Sequence, residues 1–235
     1  LSGVYPKIFE HPTKGAEAKK VFDDAQHLLQ SIIKDEKLEA KAVYGFFKAQ
    51  SHSEEVKLFE DQTYFYFPRQ LMDKGSQPNF SLADYISPTG DDHIGLFAVT
   101  AGHGIENIIK EYQAKNDDYS EIMAKVLADR LAEAAAEWLH KKVRTEYWGY
   151  SKDEDLDLNA MLYEKYCGIR PAPGYPACPD HKEKDKIWKL LNVEEQIGIS
   201  LTESRAMFPA ASVCGWYFSH SKARYFSVLK NEVLQ

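Results

Sequence analysis

The spacing of apolar residues in the first third of the chain changes from a helical to an extended pattern. Across Gly15–Lys34 the apolar residues recur every three or four positions, which predicts an amphipathic helix. Short aromatic and β-branched runs at 42–47, 56–59 and 64–67 then predict strands, with a polar hairpin loop at 50–54. The stretch 82–86 fits either a helix or a strand.

The middle of the chain predicts one buried strand followed by helices. The apolar run 94–100 predicts a buried strand, and a helix starts near Ile105. A longer helix is predicted from about 117 to 144, and a short one over 157–166. We expect the apolar stripe of the long helix to face the core: Tyr119, Ile122, Met123, Val126, Leu127, Leu131, Ala134 and Trp138.

The last third alternates a proline-rich loop, a helix and strands. Four prolines between 171 and 179 exclude regular structure there. Asp180, with Glu183 three residues later, predicts a helix start, and 201–208, 212–218 and 225–229 predict strands. Because the strands occur in adjacent groups, the pattern favours an α+β fold with a largely antiparallel sheet, and one domain over 1–235 is the simplest interpretation.

Composition and charge narrow the classes of function. The chain carries 29 Lys and Arg against 36 Asp and Glu, a formal charge of −7, without the clustered cations that binding nucleic acid requires. No apolar run approaches the ~18 residues that span a bilayer. The three cysteines lack CxxC spacing and the eight histidines lack HExxH spacing, so we expect no disulfide framework and no metal site. These observations fit a cytoplasmic protein.

Gly102-x-Gly104 lies between a predicted strand and a predicted helix, as in nucleotide-binding turns. Asn107 and Ile108 follow where the dinucleotide-binding pattern has its third glycine. We therefore predict an ordinary strand-to-helix turn, with a phosphate site as the less favoured alternative.

The proline-rich loop has properties of a binding loop. Its prolines restrict the backbone, so ordering it around a ligand costs little entropy. Arg170 can bind a carboxylate through two parallel hydrogen bonds, and Tyr175 offers a stacking face and a hydroxyl group. Gly174 permits a turn that other residues disfavour. A rigid connector that leads into the next helix is an equally good interpretation of these features alone.

This loop resembles the Arg-Pro-Ala-Pro-Gly-Tyr-Pro-Ala-Cys-Pro signature of the activation domain of cobalamin-dependent methionine synthase, over 170–179. Further stretches resemble blocks of that family in the family order: 126–134, 147–150, 201–204 and 215–220. The resemblance implies a C-shaped α+β domain with a long, bent, mainly antiparallel sheet flanked by helices, and not a Rossmann-type fold.

The same resemblance implies a reactivation module that binds S-adenosylmethionine. In that family, a flavodoxin-type protein delivers an electron to oxidised cobalamin held by another domain, and S-adenosylmethionine then methylates the cobalt. We therefore expect part of a methyltransferase, with no catalytic residue of its own. Its expected partners are the cobalamin-binding domain and a flavodoxin-type reductant.

The resemblance also marks positions that match the family's contacts with S-adenosylmethionine. These are two signature-loop positions, the loop tyrosine, an aromatic pair on the predicted last strand and two acidic positions: Arg170, Ala172, Tyr175, Tyr225, Phe226, Glu133 and Glu164. Two competing interpretations stay open. Glu133 fits a solvated partner of Arg130, and Phe226 fits a core residue.

One departure from the family favours an alternative function. The family's Asp-Trp-Thr segment, whose Asp pairs with the ligand's ammonium group, is not found, and little follows the predicted last strand. The domain therefore resembles a shortened member of the family, and it can be a docking module that no longer binds S-adenosylmethionine. In that case the cations Lys141, Lys142 and Arg144 would provide the surface for an acidic flavodoxin.

Overall fold

The computed structural model describes residues 5–72 and 75–228. Its central element is a five-stranded antiparallel sheet, made of β1 (Glu39–His52), β2 (Glu55–Leu58), β3 (Tyr64–Tyr66), β4 (Asp92–His103) and β7 (Ser212–Tyr217). The order of these strands across the sheet is β3-β2-β1-β4-β7. A separate hairpin contains β5 (Ser200–Leu201) and β6 (Met207–Phe208). Helices flank this curled sheet, which confirms the α+β prediction.

Six helices accompany the sheet in the described part of the chain: α1 (Gly15–Lys34), α2 (Ile105–Gln113), α3 (Asp118–Lys142), α4 (Leu158–Leu162), α5 (Glu183–Leu191) and α6 (Val193–Ile197). Short 3-10 turns occupy Lys7–Glu10 and Leu82–Tyr85, and the latter decides the ambiguous stretch in favour of a helical turn. A π-helical turn, Val143–Tyr147, continues α3. The predicted helix over Gly15–Lys34 is confirmed.

Strand β1 links the two halves of the sheet. Its first part pairs with β4, from Glu39 to Ala49, whereas its last part pairs with β2, from Ala49 to His52. The predicted hairpin is present, but its loop is only two residues long because β1 continues through residues 50–52. The long strand thus belongs to both parts of the sheet, the part that contains β4 and the part that contains β2.

Strand β4 confirms the predicted buried strand, and the structure shows that it is buried on both faces. Ile94, Leu96 and Ala98 join the larger core beside Trp216 and the buried face of α5. Phe97 and Val99 face the other way, towards the buried residues of α3. Because side chains alternate across a strand, an uninterrupted apolar run is needed to fill both layers.

The predicted stripe of α3 is confirmed only in part, since Leu127 and Leu131 pack against the core while others of its residues do not. The helix instead buries alanines spaced four residues apart: Ala124, Ala128, Ala132 and Ala136. Tyr119, Ile122, Val126 and Trp138 from the predicted stripe are exposed. Small side chains allow the backbone of α3 to lie close to the sheet. The face that permits this close packing is therefore buried, although it carries smaller apolar side chains than the predicted stripe.

Three other expectations are also corrected. The predicted strand 201–208 is instead two short strands, β5 and β6, joined by a turn over 202–206, where the amide of Thr202 donates to the carbonyl of Ala206 at 2.9 Å and its carbonyl accepts from the amide of Arg205 at 2.8 Å. Residues 225–228 have no regular secondary structure, and 229 lies outside the described residues. The predicted helix over 157–166 is only α4, since Glu164 has a positive φ of 52°.

The turn at Gly102-x-Gly104 joins β4 to α2. Gly104 has a φ of +96°, and a Cβ there would lie 2.2 Å from the carbonyl oxygen of Lys37. Close backbone approach and a left-handed conformation therefore account for this glycine, as the ordinary-turn interpretation predicts.

A candidate pocket at the proline-rich loop

The structure brings all seven predicted site residues together around one pocket of about 420 Å³. The signature loop (168–181), α3 and β7 provide its walls, together with residues 225–227. Its lining consists of Glu133, Glu164, Arg170, Pro171, Ala172, Tyr175, Pro176, Ala177, Val213, Tyr225, Phe226 and Ser227. Residues that are almost a hundred positions apart in the chain thus form a single concave surface.

The signature loop is fixed to β7 and to itself by backbone hydrogen bonds. Ile169 and Phe218 exchange two such bonds of 3.0 Å, and the amide of Trp216 donates to the carbonyl of Pro171 at 3.0 Å. Within the loop, the amide of Gly174 donates to the carbonyl of Cys178 at 2.8 Å. The loop is therefore held in place before any ligand arrives, which reduces the entropy lost on binding.

Two glycines make this arrangement possible. Gly174 has a φ of +90°, and a Cβ added there would lie 2.0 Å from the ring of His181. At Gly215 the Cβ would lie 2.2 Å from the carbonyl oxygen of Pro171. The first allows the turn, and the second allows the loop to approach the sheet.

Arg170 is the central cation of the pocket, and its side chain is only 19% exposed. Its Nη2 lies 3.3 Å from Oε2 of Glu137, and its Nη1 lies 3.8 Å from Oε2 of Glu133. Burial opposes the charge, but Glu137, the hydroxyls of Tyr225 and Tyr166, and Glu133 outweigh it and raise the pKa of the guanidinium. Arg170 is therefore charged, and its buried Nε has no hydrogen-bond partner among the described residues.

The carboxylates lie on two sides of the pocket. Glu133 faces the pocket from α3 with its side chain 45% exposed. In the described residues its ion-pair partner is Arg170, and not Arg130 as the competing interpretation expects. Glu164 enters from the turn after α4, where its left-handed backbone redirects the chain.

The aromatic residues provide apolar surface and one polar contact. The hydroxyl of Tyr225 accepts a hydrogen bond of 3.1 Å from the amide of Arg170, and burial raises its pKa. Phe226 packs against the core next to Phe80, as the core interpretation predicts, and it also lines the pocket. Tyr175 is 60% exposed at the edge of the pocket.

Sequence reasoning missed two residues that act on Arg170. Glu137 contacts its guanidinium, and Tyr166 donates to Oε2 of Glu137 over 3.5 Å. The sequence carries one signal for the former, because Glu137 is four residues after Glu133 and so shares its face of the helix. The contact of Tyr166 depends on the fold and has no comparable signal.

A second cavity of about 610 Å³ lies between the turn before α2, residues 208–211 and α3. Asp129 lines it, one helical turn before Glu133, so the two pockets follow each other along α3. It contains none of the predicted site residues. Within residues 5–72 and 75–228, no group of three or more His, Cys, Asp or Glu is arranged to hold a metal ion.

The fold and the site define a class: an α+β domain that is not Rossmann-type, with one charged pocket beside a proline-rich loop. Residues 1–234 match the family model of the activation domain of vitamin B12-dependent methionine synthase, and the chain belongs to this family. It is similar to a crystal structure of the MetH reactivation domain bound to AdoHcy (S-adenosylhomocysteine), with 44% identity and a TM-score of 0.92. That match covers 97% of this chain and 73% of the other.

The family places the domain in a cobalamin-dependent methyltransferase, whose cobalamin is carried by a different domain. None of the helices in the described part of the chain has the length and apolar character needed to cross a bilayer.

Proposed function

We propose that the pocket binds S-adenosylmethionine and that the domain positions this methyl donor for the reductive reactivation of cobalamin. The observation that carries the proposal is the convergence of the seven residues, with Arg170 at their centre. The similar MetH reactivation domain, solved with AdoHcy bound, supports the same ligand class. We propose further that residues 1–235 act as one module.

The charges of the pocket complement this ligand. S-adenosylmethionine carries a carboxylate, an ammonium group and a sulfonium cation, whereas the pocket presents one cation and the carboxylates Glu133 and Glu164. The unpartnered, buried Nε of Arg170 is a donor that a ligand carboxylate can satisfy. The pocket volume, about 420 Å³, falls within the ~300–1,000 Å³ typical of small-molecule sites.

Each residue then has a distinct role. Arg170 binds the carboxylate, and the backbone at Ala172 borders the ligand. Glu133 and Glu164 stabilise the cationic groups, since an opposite charge at short distance in a partly buried site is favourable. Tyr175, Tyr225 and Phe226 provide the aromatic surface for the remainder of the ligand.

The described pocket residues need not act as acid or base. The cobalamin of the other domain supplies, when bound, a reduced cobalt that is a strong nucleophile towards the methyl group. The protein's contribution is to hold the donor in a fixed orientation, and effects of position alone are large in such reactions. The hydrogen bonds between the signature loop and β7 provide that rigidity.

We propose the cobalamin-binding domain and a flavodoxin-type reductant as partners, in the cytoplasm. The prediction that Lys141, Lys142 and Arg144 form a basic surface for the reductant is wrong for Arg144. Arg144 is fully buried and paired with Glu154, so it is not available to a partner. Lys142 is paired with Glu146, which reduces the local positive charge. The alternative function, a docking module without ligand binding, therefore lacks part of its expected surface.

Calorimetric titration of the 235-residue chain with S-adenosylmethionine and S-adenosylhomocysteine tests the proposal. We expect binding of both and a loss of at least tenfold in affinity for Arg170→Ala, since a hydrogen bond to a charged group contributes about 1.5–3 kcal/mol. Arg205→Ala, which removes an ion pair with Asp185 outside the pocket, is the matched control. Equal affinity of wild type and Arg170→Ala would reject the site, and absent binding together with salt-sensitive flavodoxin binding would select the docking module.

A further inference from the structure

A row of alternating charges runs from the interior to the pocket. It begins at Glu154, continues through Arg144, Glu137 and Arg170, and ends at Glu133. Arg144 binds Glu154 through two hydrogen bonds of 2.7 and 2.8 Å, with both side chains almost fully buried. Glu137 lies between the two arginines, 3.8 Å from Nη1 of Arg144 and 3.3 Å from Nη2 of Arg170.

The inner end of this row is rigidly held. The π-helical turn Val143–Tyr147 directs Arg144 into the interior, where its guanidinium lies 3.9 Å above the ring of Tyr166. The carbonyl of Arg144 also accepts a hydrogen bond of 2.9 Å from the amide of Ser151. Single π-helical turns within α-helices occur frequently at functional sites.

We propose that Glu137 is a positioning residue that holds Arg170 in the orientation required to bind the ligand's carboxylate. The inference rests on the proposed function of the pocket. Two buried guanidinium groups face each other across Glu137, so its charge both orients Arg170 and neutralises their repulsion. Arg144 and Glu154 provide the fixed anchor for Glu137. Glu133, with its more exposed side chain and a longer distance to Arg170, remains available to the ligand.

The negative charge of Glu137 also has an effect on ligand affinity that opposes the effect of positioning. As an anion beside Arg170 it competes with an incoming carboxylate, and its removal by itself would strengthen ligand binding. The two effects predict opposite signs for the same substitution. If neutralising Glu137 lowers the affinity for the ligand, positioning of Arg170 is the dominant effect. If it raises the affinity, competition between Glu137 and the ligand's carboxylate is dominant.

The experiment measures the Kd for S-adenosylhomocysteine by calorimetry on the 235-residue chain. We expect Glu137→Gln to weaken binding about tenfold, and Glu137→Asp, which keeps the charge, to recover part of that loss. Glu146→Gln removes an exposed carboxylate close to the same end of α3 and should leave the Kd unchanged. Thermal unfolding of each variant shows whether it is folded.

A second background separates positioning from general damage. In Arg170→Lys the fork geometry is absent, so adding Glu137→Gln should change the Kd by less than twofold. An undiminished effect of Glu137→Gln in this background overturns the proposal, as does unchanged or tighter binding in the single variant. Failure of the wild-type chain to bind either S-adenosyl ligand would instead reject the proposed function itself.

Discussion

The contact between Gly215 and Pro171 allows a sharp prediction about the signature loop. An added Cβ at Gly215 would lie 2.2 Å from the carbonyl oxygen of Pro171, so relief to van der Waals distance requires a shift of about 1 Å. The same oxygen accepts the hydrogen bond from the amide of Trp216. Moving it therefore leaves a buried amide without its acceptor, which costs about 1–3 kcal/mol of folding free energy.

The displaced carbonyl lies between Arg170 and Ala172, so Gly215→Ala should also impair the pocket. We expect at least a tenfold loss of affinity for S-adenosylhomocysteine, since misplacing Arg170 weakens a hydrogen bond to a charged group, which contributes about 1.5–3 kcal/mol. Calorimetry and urea denaturation measure the two effects. Gly75→Ala is the control: no described atom lies within 4 Å of its added Cβ, and its φ of +61° should reduce stability by about 1 kcal/mol without changing the Kd. Wild-type affinity and stability of Gly215→Ala would refute the argument.

Three further predictions concern buried groups. Arg144→Met should lower the free energy of unfolding by about 3–5 kcal/mol, measured by urea denaturation, because it leaves the buried Glu154 without its cation. Burial, with Arg144 and Arg170, holds the pKa of His140 well below its usual value, so folding leaves it neutral while the unfolded chain protonates it below about pH 6.5. Stability should then fall with decreasing pH from about 6.5, by up to ~1.4 kcal/mol per pH unit, and His140→Gln should lose this slope. Burial raises the pKa of Cys214 to about 12, so a thiol reagent at pH 8 should label it only after denaturation, and rapid labelling of the native protein would contradict its burial.

The local spacing of apolar residues predicted most of the helices and strands, because this spacing reflects which one or two faces of each element are buried. The helix Gly15–Lys34 shows this because its apolar residues recur with the helical period, and strand β4 shows it because its uninterrupted apolar run fills both faces of the sheet. The pattern failed in part for α3, where several larger apolar residues are exposed and alanines are buried. The distance between helix and sheet decides which of these faces is buried, and that distance is a property of the whole fold.

The candidate site was predicted from a contiguous motif and its family resemblance. The full set of residues that form the site, however, depends on tertiary contacts. The loop residues are adjacent in sequence, so the motif identified them together. Glu137 contributes through its distance from Arg170, and residues 225–227 contribute as an irregular segment, although the sequence predicted a strand there. A segment without regular secondary structure has no periodic spacing of apolar residues in its sequence, so only its tertiary contacts define its position.

The segment that contains Tyr225 and Phe226 has a consequence for the order of assembly. It is held by residues far earlier in the chain, because Gln70 donates to the carbonyl of Ser227 at 2.7 Å and the amide of Val228 donates to the carbonyl of Pro176 at 2.7 Å. During synthesis from the N-terminus, the sheet and the signature loop therefore leave the ribosome before this wall of the pocket does. A chain truncated before residue 225 should contain all five strands of the sheet yet bind the ligand weakly, so ligand binding during synthesis would report that this segment has been made and has docked.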